Sequence, residues 1–197
     1  GAQPLLDALK GGEDEEVRTL GRALIDAQPS MAPMVNLVNH LFKAIDALHD
    51  RNAIREKGTA AVQGFLDNLV AGPAKIKGNA LVLLKGKRTV MTHSYSSTII
   101  GVLGHAQGME VICPEARPLC EGLRTARELG AKGVRVRIVV DSAALSVMGE
   151  CDMVIVGADA VTPEGVVNKI GTYALALAAR DKGVPFYVLA GTEKFLP

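Results

Sequence analysis

The spacing of apolar residues changes once along the chain. Up to about residue 72 they recur three and four positions apart, as in Val17, Leu20 and Leu24. The same holds for Met34, Leu37, Val38, Leu41, Ile45 and Leu48, and for Ile54, Val62, Phe65, Leu66 and Leu69. That period predicts three amphipathic helices. Glu13-Asp14-Glu15-Glu16 sits where a first turn gains from negative charge. Pro29-Ser30 and Pro33 punctuate the next start, and Gly72-Pro73 marks the third helix's end. After Gly78, short runs rich in Val and Ile alternate with helical stretches. The pattern predicts strands over 81–84, 89–92, 110–113, 134–140, 153–156 and 186–190, with helices over 96–107, 119–130, 143–148 and 169–182. This order predicts an α/β fold, a Rossmann-like parallel sheet with helices on both faces, preceded by a small N-terminal helical domain. The expected domains are 1–78 and 79–197.

Composition narrows the function classes. The 197 residues carry 22 Lys+Arg against 21 Asp+Glu. With no basic excess, neither nucleic acid nor a membrane surface is an expected partner. Aromatics are 4% with no Trp, so there is no platform for stacking bases. Cys113, Cys120 and Cys151 form neither a disulfide framework nor a CxxC pair, which suits a cytoplasmic setting. His40, His49, His93 and His105 lack metal-ligand spacing, and no metal or cofactor is expected. No 18-residue apolar run and no signal peptide are visible. Gly1 in place of an initiator Met reads as an added residue or as the start of a fragment.

In a parallel sheet covered on both faces, ligands sit beyond the carboxyl ends of the strands. Four segments there carry candidate chemistry. Thr92-His93-Ser94-Tyr95-Ser96-Ser97 crowds hydroxyls at a helix entry, suited to capping or to holding an anion. Cys113-Pro114-Glu115-Ala116-Arg117-Pro118 places a guanidinium on a stiff turn, for a phosphate or for a surface ion pair with Glu115 or Glu121. Asp159 follows a buried strand, where a carboxylate is either an acid/base group or an Asx-turn. Asn168 and Lys169 open a helix, with Asn168 the expected N-cap. Lys194 follows the last strand. Cations from separate loops around one carboxylate suit a phosphorylated, polyhydroxylated ligand. There is no Walker A motif and no GxGxxG after the first strand, and a Ser–His hydrolase lacks its GxSxG elbow.

Val156-Gly157-Ala158-Asp159, Asn168-Lys169-Ile170-Gly171-Thr172, Pro185-Phe186-Tyr187-Val188 and Lys194-Phe195 resemble one superfamily. It joins the alpha, beta and delta subunits of eukaryotic translation initiation factor 2B to methylthioribose-1-phosphate isomerase and ribose-1,5-bisphosphate isomerase. Thr92-His93-Ser94-Tyr95-Ser96-Ser97 and Glu115-Ala116-Arg117-Pro118 match further motifs in order and spacing, and Pro29-Ser30-Met31-Ala32-Pro33 is similar to the family's N-terminal domain. The isomerases' arginine-glycine-alanine motif has no match near the start.

The resemblance implies a catalytic pair, an Asp matching Asp159 and a Cys whose position holds Ser94. It also implies ligand- and phosphate-holding roles for Arg117, Ser96, Ser97, Asn168, Lys169 and Lys194. A thiol with a pKa of about 8.5 supplies a base near neutral pH, whereas an isolated serine hydroxyl does not. Two readings follow. One is an initiation-factor-2B-like protein, tied to translation initiation, that binds a phosphorylated sugar or nucleotide with little or no catalysis. The alternative is an aldose–ketose isomerase of a ribose-1-phosphate derivative. Either implies a homo-oligomer, a dimer or larger, or assembly with related subunits.

Overall fold

A computed structural model describes residues 2–11 and 14–197. Gly1 and Glu13 of the acidic run lie outside the described residues. The chain divides into two compact units: Gly1–Gly72 with Asp159–Gly165 and Gly191–Pro197, and Pro73–Ala158 with Val166–Ala190.

The first unit is helical. It contains α1 (Gln3–Gly11), α2 (Asp14–Ala27), α3 (Ala32–Ile45) and the start of α4 (Arg51–Leu84). Asp14, Glu15 and Glu16 occupy the first turn of α2, and Pro33 falls in the first turn of α3, where its missing N–H costs nothing. Leu5, Leu9, Val17, Leu37, Leu41, Ile45, Ile54 and Val62 form the unit's core. Each large side chain so buried contributes about 1.5–3 kcal/mol. Helix α1 was not anticipated: its apolar stripe is only Leu5 and Leu9, too short to register as a period.

The second unit holds five parallel strands, β1 (Thr89–Met91), β2 (Glu110–Pro114), β3 (Arg135–Val139), β4 (Met153–Val156) and, after the short β5 (Ala160–Thr162) and β6 (Gly165–Val167), β7 (Phe186–Val188). Their spatial order is β3-β2-β1-β4-β7. Alternation sends Val90, Val111, Met153 and Ile155 to one face, packed with Ala80 and Leu84 of α4, α5 (Ser97–Leu103) and α6 (Glu121–Ala131). Met91, Ile112, Val154 and Val156 go to the other face, with α7 (Asp141–Ser146) and α8 (Thr172–Lys182). This is the expected parallel sheet with helices on both faces. Burial on both faces holds for β1, β2 and β4, while β3 and β7 are outer strands whose side chains are partly exposed.

Two expectations fail in the same place. Residues 81–84 are not a strand, and the preceding helix does not stop at Gly72-Pro73. Helix α4 runs through Pro73 to Leu84 and crosses residue 78. The apolar run Leu81–Leu84 imitates a buried strand, yet Ala80 and Leu84 are buried while Val82 is exposed, which is the four-residue period of a helix. Pro73 removes one ladder hydrogen bond without ending the helix.

Candidate functional site

The strand order fixes where a ligand crevice can open. From β1 the chain winds outward through β2 to β3, then returns to the other side of β1 as β4. The direction reverses between β1 and β4, and crevices form beyond the carboxyl ends of such a strand pair.

Strand β1 ends at Met91, so Thr92, His93 and Ser94 lie past the sheet, and strand alternation does not govern where His93 and Ser94 point. All three are buried. Ser94 has φ of +62°, a left-handed conformation uncommon for a side-chain-bearing residue. Its carbonyl accepts a 2.7 Å hydrogen bond from Thr125 Oγ1 of α6. The His93 Nε2 lies 2.8 Å from the Ile170 carbonyl, which can only accept, so the Nε2–H tautomer donates. His93 Nδ1 and Thr92 Oγ1 are buried without hydrogen-bond partners. Gly171, at φ +99°, leaves the ring its room: a Cβ there would lie 2.9 Å from Nε2.

Ser96 is the N-cap of α5, its hydroxyl accepting from Ile99 N at 3.4 Å, and Ser97 is the exposed first residue of that helix. Gly157, just past β4, is what Ser96 requires, since a Cβ there would come within 2.9 Å of Ser96 Oγ. The ends of β1 and β4 therefore approach closely at the reversal.

Past β2, Ala116 also has positive φ, +61°. Asp141, at the first turn of α7, accepts from Ala116 N and Arg117 N at 2.8 Å each and shapes this turn. Sequence reasoning missed Asp141; an Asp directly after a strand was the available signal. The Arg117 side chain is exposed and bonds Glu115 at 3.3 Å, the surface pair that was one of its two expected roles.

Asn168 is not the N-cap of α8. That position is Gly171, and Asn168 Nδ2 donates to Thr172 Oγ1 at 3.0 Å, which donates to Lys169 O at 2.6 Å. The side chains thus stitch a turn ahead of the helix, because positive φ at Gly171 delays the helix by three residues. Lys169 is not free either: its ammonium pairs with Glu121 Oε2.

The α/β unit therefore gathers Ser94, Ser96, Ser97, Arg117, Asn168 and Lys169 on segments at or beyond strand ends. Asp159 and Lys194 are carried by the helical unit. There the Asp159 carbonyl accepts from Ala32 N at 3.1 Å. Lys194 closes a 3-10 turn, Thr192–Lys194, anchored where Asn36 Nδ2 donates to Glu193 O at 2.9 Å.

The cysteines offer no substitute thiolate in the core. Burial pushes the Cys113 thiol up to about 12, and burial with the nearby Glu150 pushes Cys151 up to about 11. Among the described residues no group of His, Cys, Asp and Glu is placed to hold a metal, and no helix is long and apolar enough to cross a membrane.

Comparison with known proteins agrees with this architecture. The model of the initiation factor 2 subunit family matches residues 4–197. The ribose 1,5-bisphosphate isomerase of Archaeoglobus fulgidus is 34% identical over 192 residues, 93% of this chain and 60% of that protein. A putative translation initiation factor eIF-2B subunit 2-like protein of Pyrococcus horikoshii is 32% identical, over 93% of this chain and 66% of its own length. The crystal structure of the translation initiation factor eIF-2B from that organism superposes with a TM-score of 0.81, at 32% identity, covering 98% of this chain and 66% of that one. The chain thus spans about 60% of the length of the first of these curated relatives. It belongs to the initiation factor 2 subunit family.

Proposed function

We propose that the chain belongs to an aldose–ketose isomerase acting on a ribose 1-phosphate derivative, ribose 1,5-bisphosphate first among the candidates. The observation that carries this reading is the 34% identity, spread over 93% of the chain, to a protein named for that reaction. The polar segments past β1 and β4 support it. Left-handed backbone at Ser94, a buried tautomer-fixed His93 and a lysine-bearing turn converge there, and strained buried polar groups cluster where ligands are handled. In this reading Asn168, Lys169, Arg117, Lys194, Ser96 and Ser97 hold the sugar phosphate, and Asp159 with the residue at position 94 serves the reacting carbons.

The reaction moves two hydrogens. The C2–H bond breaks, a C1–H bond forms, the C2 hydroxyl becomes a carbonyl, and its proton passes to the sugar oxygen released at C1. Asp159 can carry one of these protons. Ser94 is a poor partner, because a serine hydroxyl is not a base at neutral pH, and one missing acid/base group costs about 10²–10⁴-fold.

That residue is the observation favouring the second reading, a sugar-phosphate- or nucleotide-binding subunit with little catalysis; other relatives are named for initiation factor 2B. Assembly as a dimer or larger belongs to both readings. Light scattering showing only a 20.7 kDa particle at micromolar concentration would contradict it. Conversion of ribose 1,5-bisphosphate, followed by phosphorus NMR, separates the readings. Slow turnover that rises about 10²-fold in Ser94→Cys supports the isomerase. Binding without turnover in both proteins supports the second reading.

A further inference from the structure

Two side chains of α6, one turn apart, reach the same edge of the sheet. Thr125 Oγ1 donates to Ser94 O, and Glu121 Oε2 lies 2.5 Å from Lys169 Nζ. The His93 bond to Ile170 O closes a ring through Ser94, α6, Lys169 and back to β1. The Glu121–Lys169 pair is the charged member of this ring, and its side chains are only 28% and 15% exposed. Glu121 Oε2 is withdrawn from water and makes no well-directed hydrogen bond, so the lysine's charge is what holds it there. A surface pair of this kind contributes little, but a partly desolvated one makes each charge depend on the other. The seat opposite the Lys169 ammonium is therefore an anion's seat, already filled by this chain's own carboxylate.

We infer that Glu121 is a resident counter-anion, and that a ligand phosphate reaches Lys169 by displacing it. Glu121 then sets specificity. A dianionic phosphate outcompetes one carboxylate for the ammonium, whereas a singly charged sugar acid has no advantage over it. Emptying the seat by removing the carboxylate's charge leaves a largely buried lysine side chain's ammonium unpaired, which raises its demand for an external anion. The inference rests on the proposed function in giving Lys169 to the phosphate; the ion pair itself stands without it.

Glu121→Gln keeps the side chain's shape and removes its charge. Calorimetric titration with inorganic phosphate and with ribose 1,5-bisphosphate is expected to show about tenfold tighter binding to the variant than to the wild type. The gain should vanish in the Glu121→Gln, Lys169→Gln double variant. Acylation of Lys169 by acetic anhydride, read by peptide mass spectrometry, should rise in Glu121→Gln without any ligand present. Unchanged or weaker phosphate binding, a gain that survives loss of Lys169, or equal acylation would each overturn the inference. If the proposed function alone is wrong, neither protein binds the sugar bisphosphate, while inorganic phosphate still binds the variant more tightly and acylation still rises.

Discussion

The two ends of the sheet are built to different standards. At the amino end, Asp152 Oδ2 accepts from Arg88 N at 2.6 Å and Thr89 N at 2.9 Å, and Asp152 N donates to Thr89 O. Arg137 of β3 bridges Glu110 of β2 and Glu150 of the 3-10 turn Met148–Glu150. At the carboxyl end, Thr92 Oγ1 and His93 Nδ1 are buried without partners, and Ser94 and Ala116 sit at positive φ. Backbone in that region costs about 1–3 kcal/mol per residue, and an unpaired buried polar atom about as much again. The amino end closes its backbone hydrogen bonds on Asp152, with only Arg137 Nε buried and unpartnered among the groups named there, while the carboxyl end combines unpartnered polar atoms with left-handed backbone.

The contrast can be broken from either side. The largest expected effect is at Gly122 in the first turn of α6, where a Cβ would come within 1.8 Å of Pro114 O. Backbone cannot yield there as a flexible side chain would. Gly122→Ala should therefore cost about 3 kcal/mol or more in urea unfolding and prise α6 from the end of β2. An unshifted midpoint would show that the carboxyl end is looser than described.

A smaller effect is expected at the amino end. The two backbone N–H groups hold the Asp152 carboxyl below the ordinary carboxylate range. Because the folded value is the lower one, the stabilisation is complete above the unfolded value of ~4 and is lost as pH falls through the folded value. Asp152→Ala should cost roughly 1 kcal/mol at pH 7, given the site's exposure, and flatten this acid-side loss. Ligand binding should not change. A variant that instead lost phosphate affinity would undo the division of labour between the two ends.

The sequence reveals the sheet far better than the site. Strands β1, β2, β3 and β4 lie within a residue or two of their predicted spans because continuous Val and Ile runs bounded by helices leave little choice. Residues 81–84 mislead because four consecutive apolar residues carry no period. At the site, residue identities are visible but partners are not. The left-handed turn at Ser94, the carboxylate on Lys169 and the clamp of Asp141 on Ala116 and Arg117 are all set by segments 20 or more residues apart in sequence. Asn168 shows the same gap: an Asn before a helix predicts a cap, and only the backbone at Gly171 shows that the cap lies three residues on.

The outer strand β3 has a consequence for the chain before it is fully folded. Its sequence, Arg-Val-Arg-Ile-Val, would make a good template for a foreign strand, and Ile138 stays half exposed on it. Arginines at alternate positions put like charges in register against any second copy laid alongside, which is how open rims are kept from recruiting one another into aggregates. Arg137 has a structural partner in Glu150, but Arg135 forms no ion pair among the described residues and is exposed. Arg135, spare in the folded unit, is thus placed to discourage such pairing before the sheet is complete.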